Sequence, residues 1–405
     1  MDTWFFTEQS YHPAWKKYSG DLRVDIPGKY ADPMDMSRLI NEYMDQYVLA
    51  DQLGMNIMVN EHHTAATCLS ISVTQILAVL ARQTKNARLL GLGSIISNRP
   101  DPIRVAEEYA MVDSLSGGRL DMGFVKGAGW ELYASNANPV DLMDRYWEAH
   151  DLILEAMTNS NEQFSWEGKH FNYRAVNLWP RPVQQPHPPV WVSSNSPGSG
   201  KWVAEKGYNL MSFLTGFAGK PTYDAYRSSY EATWGQKPPM HKLAYLGLLA
   251  VGRTKEEIER RTREMRAYQQ SVKRMKDAHL APPGYGPPQD FVRLLRSPIR
   301  GRMTVTDRAL PLPSGKMTQP LPTNEELAEA GVMFWGEPNQ VVDQILAFNE
   351  VIGGFGHLAV MAQAAEMSHE DACDNLRLFG EHVAPQLKKL DKTATTLSGR
   401  AVETA

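Results

Sequence analysis

One stretch concentrates titratable groups: Asn60-Glu61-His62-His63 closes the short apolar run that begins at Asn56. A carboxylate beside two imidazoles can ligate a metal or move protons near neutral pH. Metal-hydrolase barrels use a His-x-His pair, because residues two apart on a strand share a face. The histidines here are adjacent, so they point apart; only Glu61 and His63 can share a face, and no further Asp or His at a strand end completes a ligand set. A metal-dependent hydrolase is therefore the secondary reading. A second cluster, Ser193-Ser194-Asn195-Ser196-Pro197-Gly198-Ser199, directly precedes a helical segment at 201–206. Hydroxyls and free N–H groups at a helix start cradle anions, although a plain serine cap is the competing explanation. Lys126 and Arg145 add two cations that reach the same phosphate if the strands before them and before the serines are neighbours. A G-x-S-x-G elbow is absent, and Gly91-Leu92-Gly93 lacks the third glycine of a dinucleotide fingerprint. Cys68 and Cys373 are the only cysteines and read as small buried residues.

These groups need elements to position them. Apolar runs at 4–7, 56–60, 88–96, 120–125, 189–193, 208–213, 242–251 and 357–361 read as eight strands. Helical spacing covers 36–53, 73–83, 103–115, 140–157, 254–277 and 368–386, with another helix near Pro338. Residues 164–171 read as a surface hairpin. Strands alternating with helices imply a parallel sheet, and eight of them imply a (β/α)8 TIM barrel with insertions, with a doubly wound sheet as the alternative. Both clusters then fall at the C-terminal strand ends, where barrels keep their chemistry. About a hundred residues separate the last two strands, far more than one crossover helix needs. The expected organisation is one barrel domain over 1–392 with a lid-like insertion at 254–337 and a flexible tail at 393–405.

A hydrophobic fraction of 42% and a formal net charge of -4 fit a globular protein and give no reason to expect nucleic acid or an anionic membrane as partner. No apolar run approaches membrane-spanning length, and Met1-Asp2-Thr3-Trp4 lacks a signal-peptide pattern, so a cytoplasmic location is expected.

With these pieces placed, the sequence resembles the bacterial luciferase-like family of flavin-dependent monooxygenases. The resemblance rests on Val59-Asn60-Glu61-His62-His63, on Arg99-Pro100-Asp101-Pro102-Ile103-Arg104 leading to Ser116-Gly117-Gly118-Arg119-Leu120, and on Arg181-Pro182-Val183-Gln184-Gln185-Pro186 leading to Val190-Trp191-Val192. It implies a TIM barrel that binds reduced FMN and reacts it with O2, through a C4a-peroxyflavin, to oxygenate a small organic substrate. A separate NAD(P)H-dependent flavin reductase and a homodimer or higher oligomer are implied as well. Carried over residue by residue, it makes His62 the catalytic imidazole with Glu61 as its support, and His63 structural. Asn60, Lys126-Gly127, Arg145, Asn195, Ser196, Pro197 and Ser199 become the cofactor-binding set. Gly93-Ser94 matches the position of a cis non-proline peptide beside the flavin. Lys126 stands where the family has arginine, keeping charge but losing bidentate geometry. A deazaflavin (F420)-dependent dehydrogenase on the same barrel is the alternative. Trp4, Phe6, Trp130 and Tyr133 are candidates for an apolar substrate wall, with core packing the competing role.

Overall fold

In the computed structural model, residues 1–271, 276–280, 282–286, 292 and 309–389 are described. The basic run Arg293, Arg296, Arg300 and Arg302 and the expected tail lie outside them. In chain order the elements are β1 (Asp2–Phe6), α1 (Pro33–Gln52), β2 (Asn56–Val59), α2 (Val73–Gln83), β3 (Leu89–Ile95) and α3 (Pro102–Ser116). Then come β4 (Leu120–Val125), α4 (Gly129–Ser135), α5 (Leu142–Thr158), β5 (Phe164–Glu167), β6 (Asn172–Val176), β7 (Val190–Ser193), α6 (Pro197–Glu205), β8 (Asn209–Phe213) and α7 (Lys220–Trp234). The remainder is β9 (Leu243–Val251), α8 (Lys255–Ser271), α9 (Asp277–Leu280), α10 (Asn324–Glu329), β10 (Met333–Gly336), α11 (Pro338–Val351), β11 (His357–Met361) and α12 (His369–Leu378).

Eight parallel strands close on themselves in the order β1-β2-β3-β4-β7-β8-β9-β11, with β11 returning to β1. The expected barrel and its eight strands are therefore present. Five elements have no counterpart among the expected ones: α4, α7, α9, α10 and the short β10. β10 pairs with the far half of β9, residues 248–251, beyond the point where β8 stops at 246. The hairpin continues past its expected end, since β6 starts after the turn at Gly168–Phe171.

Period-two alternation builds the two layers. Trp4, Phe6, Met58, Leu90, Leu92, Trp191, Met211, Leu246 and Met361 fill one buried cluster inside the barrel. Their neighbours Phe5, Ile57, Val59, Leu89, Val190, Val192, Leu210 and Val360 pack outward in a second cluster with the helices. Helix starts are fixed by acceptors at their caps. Asp32 accepts from the Met34 and Asp35 N–H groups ahead of α1, and Asp101 from Arg104 N–H ahead of α3, each with proline in the first turn. On β3, Gly91 is required by close packing: a Cβ there would lie 2.5 Å from Val73 of α2. Trp4 and Phe6 are thus core residues; the substrate-wall reading does not apply to Trp4, which is fully buried against Trp191 (ring centroids 5.4 Å).

Candidate active site

His62 leaves the C-terminal end of β2 and enters a cluster drawn from three other segments. Its Nδ1 lies 2.8 Å from Glu131 Oε1 on α4, and its Nε2 lies 3.9 Å from Glu8 Oε2, just past β1. Its ring packs on Trp130 at 5.4 Å between centroids. Glu131 is held in turn by the Ala128 N–H, which donates to Oε2 at 2.6 Å. Glu8 accepts from the Tyr268 hydroxyl of α8 at 2.9 Å and from Asn60 Nδ2 at 3.2 Å. With Nδ1–H donating to the carboxylate, Nε2 is the basic nitrogen of the neutral ring. Its separation from Glu8 is too long for a hydrogen bond, so Nε2 stays available to exchange a proton. Burial alone pushes the imidazole pKa down, but the Glu131 carboxylate, with a smaller push from Glu8, outweighs it and leaves His62 above its ordinary value.

The expected role of Glu61 needs correction. Both its oxygens accept from Arg99 Nη2 at 2.8 Å, and Oε1 sits 3.1 Å from His63 Nε2. Glu61 and His63 do share a face, as their spacing demands, and with His62 turned the other way Glu61 cannot support it. That position belongs to Glu131, far away in sequence on a helix that periodicity does not reveal. Glu8 carried a legible signal, a carboxylate directly after a strand, whereas Tyr268 sits in a charged helix with none. No group of three His, Cys, Asp or Glu side chains among the described residues is arranged to hold a metal ion.

Ser94 also departs from expectation. Simple alternation would put Leu90, Leu92 and Ser94 on the inner face, but the pairing of β3 with β4 shifts register between Gly91 and Ser94. Ser94 Oγ consequently meets Tyr109 Oη at 2.8 Å in the outer layer. The cis non-proline peptide is Leu92–Gly93, one bond before the expected one. Gly93 is confined by β4, since a Cβ there would come within 2.6 Å of Gly123 O.

The serine loop caps α6: Ser196 Oγ accepts from Ser199 N–H at 3.3 Å and lies 2.9 Å from Ser199 Oγ. Asn195, Ser196 and Pro197 are exposed, and nothing lies within 4 Å of a Cβ built on Gly198. Asn195 is spent on structure, its Oδ1 accepting from Ser212 Oγ at 2.8 Å and Phe213 N–H at 3.1 Å. Arg145 donates to Ser97 O and Arg99 O, both at 3.1 Å, tying α5 to the loop after β3. The Lys126 ammonium lies 4.0 Å from the ring centroid of Tyr285 and has no carboxylate partner among the described residues; burial lowers its pKa. Gly127, at φ +79°, gives its carbonyl to the Tyr285 hydroxyl at 2.8 Å.

Tyr285 belongs to the long segment after β9, which meets the barrel mouth at several points. Lys276 N–H and His279 Nδ1 reach Asp21 Oδ2 at 2.9 and 2.7 Å, and Tyr133 Oη donates to Ala278 O at 3.3 Å.

A closed parallel barrel with an imidazole and two carboxylates at the C-terminal strand ends defines a class of barrel enzyme site, and sequence comparison gives the family. The chain belongs to the luciferase-like monooxygenases, whose family model matches residues 27–353. It is 32% identical over 246 residues to an uncharacterized protein, y4wF, of Sinorhizobium fredii, covering 58% of this chain and 71% of that one. It is 28% identical over 184 residues to the oxygenase component of the flavin-dependent trigonelline monooxygenase of Acinetobacter baylyi, covering 45% of this chain and about half (51%) of that relative's length. Among solved structures, the oxygenating constituent of 3,6-diketocamphane monooxygenase from Pseudomonas putida, in complex with FMN, superposes with a TM-score of 0.68 at 18% identity, over 90% of this chain and 98% of that one. An F420-dependent secondary alcohol dehydrogenase superposes with a TM-score of 0.62 at 14% identity, over 94% and 98%. Both share the fold. No described helix is long and apolar enough to cross a membrane.

Proposed function

We propose that this protein is the oxygenase of a two-component system, a monooxygenase that uses reduced FMN delivered by a separate reductase, and O2, on a small organic substrate. The observation that carries the reading is the His62–Glu131 pair at 2.8 Å, held at the barrel mouth of a luciferase-like monooxygenase. Bound reduced FMN would supply the electrons that activate O2. The protein's own part is proton management and exclusion of water. Glu131 fixes the imidazole orientation, His62 Nε2 holds or gives a proton at the mouth, and Tyr268 and Asn60 keep Glu8 in place beside it.

The residues present fit a flavin phosphate. The α6 N-terminus is open around Gly198, with Ser196 and Ser199 at its edge, and the half-buried Lys126 has its charge uncompensated by any described carboxylate. Gly127 and Arg145 would complete the cradle. A second reading, an F420-dependent dehydrogenase, is favoured by the likeness to such a dehydrogenase. Anaerobic titration with FMNH2 and then with reduced F420, followed by mixing with O2, separates the two. Tight FMNH2 binding and fast O2 consumption are expected; binding of F420 alone, without O2 uptake, would refute the oxygenase.

A further inference from the structure

The mouth of this site holds a guanidinium two of whose nitrogens have no hydrogen-bond partner among the described residues. Arg23, in the loop between β1 and α1, is 4% exposed, and its guanidinium carbon lies 4.7 Å from the ring centroid of Trp130. Among the described residues its Nε and Nη1 have no hydrogen-bond partner, and neither has the buried Nε1 of Trp130. All three atoms are donors. The acceptors around them are committed. Glu131 serves His62 and the Ala128 N–H, Glu8 serves Tyr268 and Asn60, and Asp21 serves Lys276, His279 and the backbone N–H of Arg23 itself. Burying charged N–H groups without hydrogen-bond partners is costly. Such an arrangement makes sense where a ligand brings the missing acceptors.

The missing partner has a defined chemistry. A carboxylate offers acceptors only, so one oxygen can accept from an open N–H of Arg23 while the other accepts from Trp130 Nε1. The carboxylates Glu8 and Glu131 already at His62 penalise a dianion such as phosphate more than a monoanion. Trp130 packs against both Arg23 and His62, so an acid bound to Arg23 lies one indole away from the imidazole. We propose that Arg23, together with Trp130 Nε1, binds the carboxylate of a small organic acid, which makes monocarboxylic acids the substrate class. This rests on the oxygenase reading of the mouth. These donors are out of reach of solvent, so the acid reaches them only when the mouth opens.

The test is calorimetric titration of the full-length protein, with FMN present, using benzoate and nicotinate against benzamide and nicotinamide, and inorganic phosphate as a further arm. At least one acid is expected to bind about ten- to a hundredfold tighter than its amide, the range of a charge-assisted hydrogen bond. Arg23→Gln should abolish that preference, and Arg23→Lys should keep part of it. Trp130→Phe should weaken the acid without affecting its amide. The proposal is overturned if neither acid outbinds its amide, if the preference survives Arg23→Gln, or if phosphate binds tighter than both acids. FMN binding, followed in the same samples by flavin fluorescence, keeps the two readings apart: failure of FMN to bind removes the oxygenase and leaves the anion site standing. If Arg23→Gln fails to fold, the Arg23→Lys and Trp130→Phe titrations decide.

Discussion

At the scale of single residues the site turns on which carboxylate owns which imidazole. His62 and His63 are neighbours in sequence, yet one is paired with Glu131 and the other with Glu61. The outward turn of one and inward turn of the other was legible from adjacency alone. The identity of Glu131 was not, because contact between positions 62 and 131 depends on how the loop after β4 folds back. Removing Glu131's charge should undo the raised pKa of His62, which burial would otherwise hold down. Glu131→Gln is thus expected to lower the His62 pKa, read by NMR titration of the ring, and to move the corresponding limb of the pH–rate profile to lower pH. The sign for stability follows. A folded value above the ordinary 6.5 stabilises fully below pH 6.5 and fades as pH rises through the folded value, so Glu131→Gln should be most costly on the acid side. His62→Ala is expected to reduce the rate of substrate oxygenation by about 10²–10⁴-fold, the usual worth of a positioned acid–base group, without preventing FMN binding. An unchanged rate would remove His62 from the mechanism.

At the scale of elements, the segment after β9 is where function and architecture meet. Its length alone suggested a lid, and its described parts do reach the mouth: Tyr268 to Glu8, Lys276 and His279 to Asp21, Tyr285 to Gly127. Of the elements missed by periodicity, α4, α9, α10 and β10 are each seven residues or fewer, whereas α7 is fifteen residues long. β10 is four residues long and borrows the free edge of β9, which no local pattern announces. Asp21 is the hinge point of the contact, since one carboxylate oxygen receives both Lys276 N–H and His279. We propose that this docking excludes water during turnover. Asp21→Ala should therefore speed hydrogen–deuterium exchange in 276–286 while β1 and β2 keep wild-type protection. The same variant should raise the fraction of O2 consumed without substrate oxidation. Unaltered exchange in that segment would mean the docking is held elsewhere.

At the scale of the whole molecule, the barrel was readable because eight apolar runs separated by helices leave few other topologies, and because alternation assigns inner and outer faces. Ser94, which the resemblance placed beside the cofactor, instead meets Tyr109 in the outer layer, where the β3–β4 register shifts. The opposite end of the barrel supplies a prediction about stability. His357, at the start of β11, accepts from Trp4 Nε1 at 3.1 Å and packs on Trp191 at 5.1 Å. Burial pushes its pKa down to about 4, against a partly compensating pull from the exposed Asp2. Here the folded value lies below the unfolded one. Between pH 6.5 and about 4 the unfolded chain binds a proton that the folded barrel refuses, so stability falls with falling pH across that window. At pH 5 this one group should cost about 2 kcal/mol relative to pH 7, taking about 1.4 kcal/mol per pH unit. His357→Gln, which cannot titrate, should lose about 1 kcal/mol at pH 7 through its altered bond to Trp4. Urea unfolding of both proteins at pH 7 and pH 5 measures the difference directly. The variant should close most of its gap with wild type at pH 5 or become the more stable protein. Parallel losses in the two proteins would show that the barrel base tolerates a protonated His357, with Asp2 as its counter-charge.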